Sequence, residues 1–313
     1  MTPARGEDRL TARIAAAARP GGRRPRAAVG TVRVGIGDDA AVVDLPRGRY
    51  VLTTDTLVEG VDFFPGELPF WIGRRAAAAN LSDLAAMGAF PAGFLLSIAV
   101  RRKGAARYAR RIAEGAISRM RPFGATLWGG DLSRAAATVV TILLVGTASR
   151  PVERSGARPG DLLFVTGSPG AARTALRLRR GRVGRRPIAA ERPYLDPEPR
   201  VDFGRTLAAR RWATAMIDVS DGLGRDARRL AEASRVRLVF EAAGRSGLSD
   251  ASDDFELLFT SPASRERSIL RLGARLSTPV ARVGRVERGT GIVLERRDGR
   301  REPVAAGGWD HFA

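Results

Sequence analysis

Apolar residues recur with two periods along this chain. Short runs of four to eight, rich in Val, Leu, Ile and Phe, alternate with longer stretches in which Ala and Leu return every three or four positions. The first kind predicts strands and the second helices. TVRVGIG and AVVDL read as β segments around a tight turn, and YVLTTDTLVEG as a strand that ends in polar residues. Residues 8–19 read as a short helix, residues 71–87 as a helix stopped at Gly88 and Pro91, and residues 104–121 as a helix stopped at Pro122 and Gly124. GFLLSIAV, ATLWGG and TVVTILLVGTA are strands. The second half gives a strand at DLLFVT, two helical stretches around the Pro-rich RPYLDPEPR, and a strand, polar turn and helix over ATAMIDVSDGLGRDARRLAEAS. RLVFEAA and DFELLFTS are strands, 262–277 is helical, and VARVGRV and GIVLERR are β segments. Strands and helices are interspersed without βαβ regularity, which predicts two α+β domains, 1–149 and 150–313.

Composition narrows the class. With 313 residues the chain is long enough for two domains. It has no cysteine, which excludes disulfides, thiol nucleophiles and Zn–thiolate sites. No apolar run is long enough to cross a membrane, and MTPARGEDRL lacks a secretory apolar region, so a cytoplasmic protein without a membrane partner is expected. The net charge of +20 invites a nucleic-acid reading. Of the 53 basic residues only Lys103 is lysine, and the arginines are scattered, most densely between Arg173 and Arg192. No zinc-finger, basic-zipper or aromatic RNA-binding pattern accompanies them, so a solvated basic surface, and no nucleic acid, is the expectation.

Against that basic background, acids sit in small-residue turns at the ends of apolar runs. They are Asp38 and Asp39 in GIGDDA, Asp55 in TTDTLVEG, Asp83 in NLSDLAAMGA, Asp131 in WGGDLSR, and Asp218 and Asp221 in IDVSDGL. Carboxylates gathered at such ends repel one another unless cations sit among them. Hard oxygen donors without Cys or clustered His suit Mg²⁺, whose other faces usually carry substrate phosphates. The pattern points to metal-dependent phosphoryl transfer or nucleotide activation.

Each motif also has a plainer reading. GIGDDA formally fits a dinucleotide fingerprint, but AVVDLPRG follows it where a helix is required. Thr53, Thr54 and Asp55 could simply cap a strand. Asp83, on an Ala-rich helix, would ordinarily be a surface position. Gly129 and Gly130 allow the backbone before Asp131 to approach a phosphate or metal closely. Ser220 and Asp221 could cap a helix, or that helix N-terminus could hold an anion. There is no P-loop, and the single histidine, His311, lies in the C-terminal tail.

Taken in order, GIGDDAAVV, TTDTLVEGVDFF, NLSDLAAMGAFPA, GGDLSR, RSGARPGDLLFVTGSPG, IDVSDGL, DDFELLFT and GGWDHFA resemble the thiamine-monophosphate kinase family, within the aminoimidazole-ribonucleotide synthetase-like superfamily. The resemblance implies a two-domain α+β fold of mixed sheets flanked by helices. It implies ATP as co-substrate, thiamine monophosphate as acceptor, several Mg²⁺ ions, and a homodimer that pairs N-terminal sheets with ATP near the interface. Its metal ligands would be Asp38, Asp39, Thr53, Thr54, Asp55, Asp83, Asp131, Asp218 and Asp221, with Asp55, Asp131 and Asp221 as the catalytic acids. Gly130, Asp131, Arg154 and Ser220 would contact the nucleotide. Asp62 stands where the family commonly has a substrate-facing histidine, Asp253 where it has a substrate-contacting glutamate, and Trp309 would pack on the substrate. The segment before Asp253 is shorter than the family's. The altered acceptor residues leave open a related enzyme with another phosphorylated acceptor, or a catalytically silent homologue.

Overall fold

The computed structural model describes residue 12 and residues 31–311, except 36, 46–47, 102–104, 242–247, 249–250 and 305–306. The expected helix at 8–19 and the shortened segment before Asp253 therefore fall almost wholly outside the described residues. The first sheet has six strands: β1 (Thr31–Val34), β2 (Ala41–Leu45), β3 (Gly48–Val58), β4 (Phe90–Val100), β5 (Thr126–Arg134) and β6 (Val139–Thr147). Their order is β1-β2-β3-β6-β4-β5, antiparallel except for β4 beside β5. One face is covered by helices α1 (Pro69–Ala86) and α2 (Ala105–Met120). These two cross at reciprocal glycines: a Cβ on Gly73 would lie 1.9 Å from the Ile112 carbonyl, and one on Gly115 2.0 Å from that of Phe70. Only a residue without a side chain allows that approach.

The remaining strands are β7 (Asp161–Thr166), β8 (Ala215–Val219), β9 (Arg237–Glu241), β10 (Glu256–Pro262), β11 (Val280–Glu287), β12 (Gly291–Glu295) and β13 (Arg301–Pro303). They form a second sheet of order β13-β12-β9-β11-β7-β10-β8, in which only β9 and β12 run parallel. Its helices are α3 (Ala171–Arg180), the short α4 (Arg192–Leu195), α5 (Val201–Ala209), α6 (Leu223–Ser234) and α7 (Glu266–Arg275). Alternation along its central strands feeds two cores. Phe164, Met216, Leu257 and Phe259 join α1 and the first sheet in one continuous core, while Leu163, Val165, Ile217 and Leu258 pack beneath α6.

Helix α1 is therefore buried on nearly every side, by the first sheet, α2, α5 and β8. The plainer reading of Asp83 as a surface position therefore does not hold, and the reading of Asp83 as a site residue keeps its place: a helix with alanine on all faces has no sequence stripe to show which side is wet. The arginine-rich stretch is also less solvated than expected. Arg179 on α3 is fully buried, and its guanidinium is held by Glu67 and Glu191. Among the described residues no helix is long and apolar enough to cross a membrane.

Candidate active site

Three acids from three separate elements converge. One carboxylate oxygen each of Asp39, Asp83 and Asp218 lies within 4.8 Å of the others. Asp39 comes from the turn between β1 and β2, Asp83 from the last turn of α1, and Asp218 from β8, on the side of the second sheet that faces α1. Each is held by its own partner. The Arg154 fork donates to both oxygens of Asp39 at 3.0 and 3.1 Å. The Thr53 hydroxyl donates to Asp83. The Ser82 hydroxyl, fully buried, donates to Asp218 at 2.8 Å. Burial first, and then the neighbouring carboxylates, raise Asp83 and Asp218 well above the usual carboxylate range.

Asp55 borders this group. Burial, with the charges of Asp62 and Asp221, lifts it to about 6. Strand β3 alternates: Thr53 and Leu57 are buried and Thr54 and Thr56 exposed, so Asp55 shares the helix-facing side with Thr53 while Thr54 points to the opposite face. Asp38 stands beside the cluster with both oxygens engaged, accepting from the Asp39 amide at 2.9 Å and the Arg154 amide at 3.1 Å. Burial and Asp39 raise it to about 7 against the pull of those donors.

Asp131 is not brought to the cluster. It pairs in register with Ser97, which pairs with Thr141, which pairs with Thr56. The hydroxyls of Thr56 and Thr141 meet at 2.9 Å. That row occupies the outer face of the first sheet, away from α1, and Asp131 is exposed there. Gly130 beside it serves the sheet itself, since a Cβ at that position would lie 1.9 Å from the Leu96 carbonyl.

The turn after β8 is filled from within the chain. The amides of Ser220, Asp221 and Gly222 all donate to one oxygen of Asp226, at 3.1, 3.0 and 3.1 Å. The anion that the N-terminus of α6 attracts is thus this chain's own carboxylate. Arg229 joins Asp221 at 2.6 Å and Asp226 at 3.1 Å. Burial and Asp221 lift Asp226 to about 7. The tail returns to the same turn: the Trp309 amide donates to the Asp221 carbonyl at 2.9 Å, and its half-exposed indole meets the His311 ring edge-on.

Of the residues expected to face the acceptor, Asp62 and Asp253 lie apart from Trp309, linked to the N-terminal half of α1 through Tyr194 and Arg75. Asp62 accepts the Val58 amide at 2.8 Å and, through its carbonyl, the Tyr194 hydroxyl at 3.2 Å. Asp253 is paired with Arg75. Ser82, Arg75, Tyr194, Asp226 and Arg229 were not singled out from sequence. Asp226 had a readable signal, because the spacing Leu223, Asp226, Ala227, Leu230 puts an acid on the apolar face of α6. Ser82 and Arg75 had none.

Comparison with known proteins fits this geometry. Residues 37–148 match the N-terminal domain, and residues 158–295 the C-terminal domain, of the AIR synthase related protein family. The chain is 35% identical over 308 residues to the thiamine-monophosphate kinase of Rhodopirellula baltica, covering 90% of this chain and 92% of that one. It is 36% identical over 275 residues to that of Archaeoglobus fulgidus, covering 88% and 90%. Among solved structures, AaThiL complexed with AMPPCP and TMP superposes with a TM-score of 0.80 at 28% identity over the full length of both chains. Hydrogenase maturation protein HypE in complex with ATP shares the fold alone, at 17% identity and a TM-score of 0.67. At this identity and coverage, the chain belongs to the thiamine-monophosphate kinase family.

Proposed function

We infer that this protein transfers the γ-phosphoryl group of ATP to the phosphate of thiamine monophosphate, giving thiamine diphosphate and ADP. The end-to-end match to kinases of that name carries the reading. The donor set supports it: oxygen ligands alone, gathered from three elements, with Asp83 and Asp218 pushed toward protonation by burial and then by neighbouring carboxylates, suit Mg²⁺. Asp39, Asp83 and Asp218 would hold the metal, with Asp55, Thr53 and Asp221 at its border. Bound there, Mg²⁺ would neutralise phosphate charge and help align donor with acceptor.

The chain's own part is preorganisation. Thr53, Ser82 and Arg154 fix the three acids before substrate arrives, so little reorganisation is needed at the moment of reaction. The acceptor phosphate is already an anion at neutral pH, so direct in-line transfer needs no strong general base. Asp62, Asp253 and Trp309 are the proposed acceptor contacts, and Gly130, Asp131, Arg154 and Ser220 the nucleotide contacts. We assign dimerisation and most of the metal and nucleotide contacts to residues 1–149, with Arg154, Asp218 and Ser220 supplied by residues 150–313. We also propose a cytoplasmic homodimer. The outer face of the first sheet supports it, since Leu95 is exposed there and the half-exposed Trp128 indole occupies the space that a side chain on Gly93 would fill. Asp131 and Thr54 share that face, so a nucleotide or metal they serve lies at the dimer interface.

The test is incubation with Mg-ATP and thiamine monophosphate, with the product identified by mass. Thiamine diphosphate is expected. ATP turnover only with a different phosphorylated acceptor would favour the related-enzyme alternative. Ligand binding without any turnover would favour the silent homologue.

A further inference from the structure

Arg75 is a buried cation that the phosphoryl-transfer scheme leaves unused. It stands on α1, only 4% exposed. Its Nη1 donates to the Tyr194 carbonyl at 2.5 Å and its Nη2 to Asp253, while the guanidinium lies 4.2 Å from the centre of the Tyr194 ring. Its Nε has no hydrogen-bond partner among the described residues. Both partners belong to the second half of the chain. Tyr194 is buried and reaches back to the first half through its hydroxyl bond to the Asp62 carbonyl. Asp62 in turn lies close enough to Asp55 to perturb it. Asp253, Arg75, Tyr194 and Asp62 therefore form one connected chain, which ends beside the acid cluster.

Arg75 and Ser82 are seven residues apart on α1 and so share one stripe of the helix, about 10 Å apart along its axis. Ser82 fixes Asp218 at one end of that stripe and Arg75 fixes Asp253 at the other. Helix α1 thus sets the distance between the metal end and the acceptor end of the site. The guanidinium fork suits this task because it grips two groups at a fixed angle, which a flexible ammonium does not.

We propose that Arg75 is a positioning residue that sets acceptor affinity. By holding the Asp253 carboxylate and the Tyr194–Asp62 link, it keeps the acceptor pocket in one geometry, and this assignment rests on the kinase reading above. Without Arg75 the Asp253 side chain, 29% exposed, is free to turn to solvent.

The test is steady-state kinetics of the full-length enzyme with each substrate varied in turn. Arg75→Met should raise the KM for thiamine monophosphate by about tenfold or more while moving the KM for ATP less than about twofold. Asp253→Asn approaches the same pair from an accessible loop without disturbing α1, and should give the same signature. The double variant should be no worse than the more severe single variant, because both break one contact. The inference is overturned if Asp253→Asn leaves the KM for thiamine monophosphate unchanged, if either substitution shifts both KM values equally, or if the two effects multiply. Absence of thiamine diphosphate formation by the unsubstituted enzyme would sink the kinase reading itself, and this inference with it. An active parent with unmoved variants sinks the inference alone.

Discussion

Replacing Asp218 by Asn tests whether the acid cluster stores repulsion. The change removes one of three carboxylates whose oxygens lie within 4.8 Å, yet keeps an oxygen to accept the Ser82 hydroxyl. At an effective dielectric of about 20, two full charges about 5 Å apart repel by about 3 kcal/mol. Protonation relieves much of this near neutral pH, since Asp83 and Asp218 are both raised. The metal-free variant should therefore gain about 1 kcal/mol, or roughly 1.5 °C in melting temperature. The sign with pH follows from linkage. Carboxyls whose folded pKa is raised keep protons that the unfolded chain releases above about pH 4, so the folded state binds more protons through that window. Stability of the metal-free parent should therefore fall from about pH 4 upward, the Asp55 contribution levelling off above about 6 and that of Asp38 above about 7, while Asp83 and Asp218 extend the fall until they too ionise in the folded state. The advantage of the variant should widen over the same range. Calorimetric melting in a chelator, repeated with excess Mg²⁺, is the assay. Mg²⁺ should stabilise the parent more than the variant and so narrow or reverse their order. A variant that melts at or below the parent in chelator at about pH 8 would refute the reasoning.

Asp55→Asn should lower kcat/KM by about 100-fold or more with the melting temperature retained; near-parent turnover would remove Asp55 from the site. Asp226→Ala strands the amides of Ser220, Asp221 and Gly222 and should cost about 3 kcal/mol in urea unfolding, whereas Asp226→Asn, which keeps an acceptor oxygen, should cost less; equal losses would show that the amide cradle is not what matters. Leu95→Asp places a charge on the exposed outer face of the first sheet and should convert the proposed dimer to monomer in gel filtration with light scattering; an unchanged dimer would place the interface elsewhere.

The strands and helices were legible because their apolar periods differ, and most acid turns because each acid follows a buried run. What was illegible depended on three-dimensional neighbours. Nothing local tells that Asp131 and Asp83 end on opposite faces of one sheet, because that follows from the register of β4, β5 and β6. A scattered arginine looks alike in sequence whether solvated or, like Arg75 and Arg179, walled in with acids from distant segments. The glycine before Asp131 suggests a bound phosphate, but the close approach it permits is to the Leu96 carbonyl. The proposed acceptor side was the least readable part. Asp253 could be aligned by motif, but its partner Arg75 lies 178 positions away.

Because α1 is enclosed by both sheets, the polypeptide cannot be divided into two working fragments. The core cluster that holds Leu81, Leu84 and Met87 of the first half also holds Phe203, Met216 and Phe259 of the second. A nick between the halves would bare oily surface on each piece. Proteolysis should therefore yield either intact protein or aggregate, and a truncated half expressed alone should be insoluble.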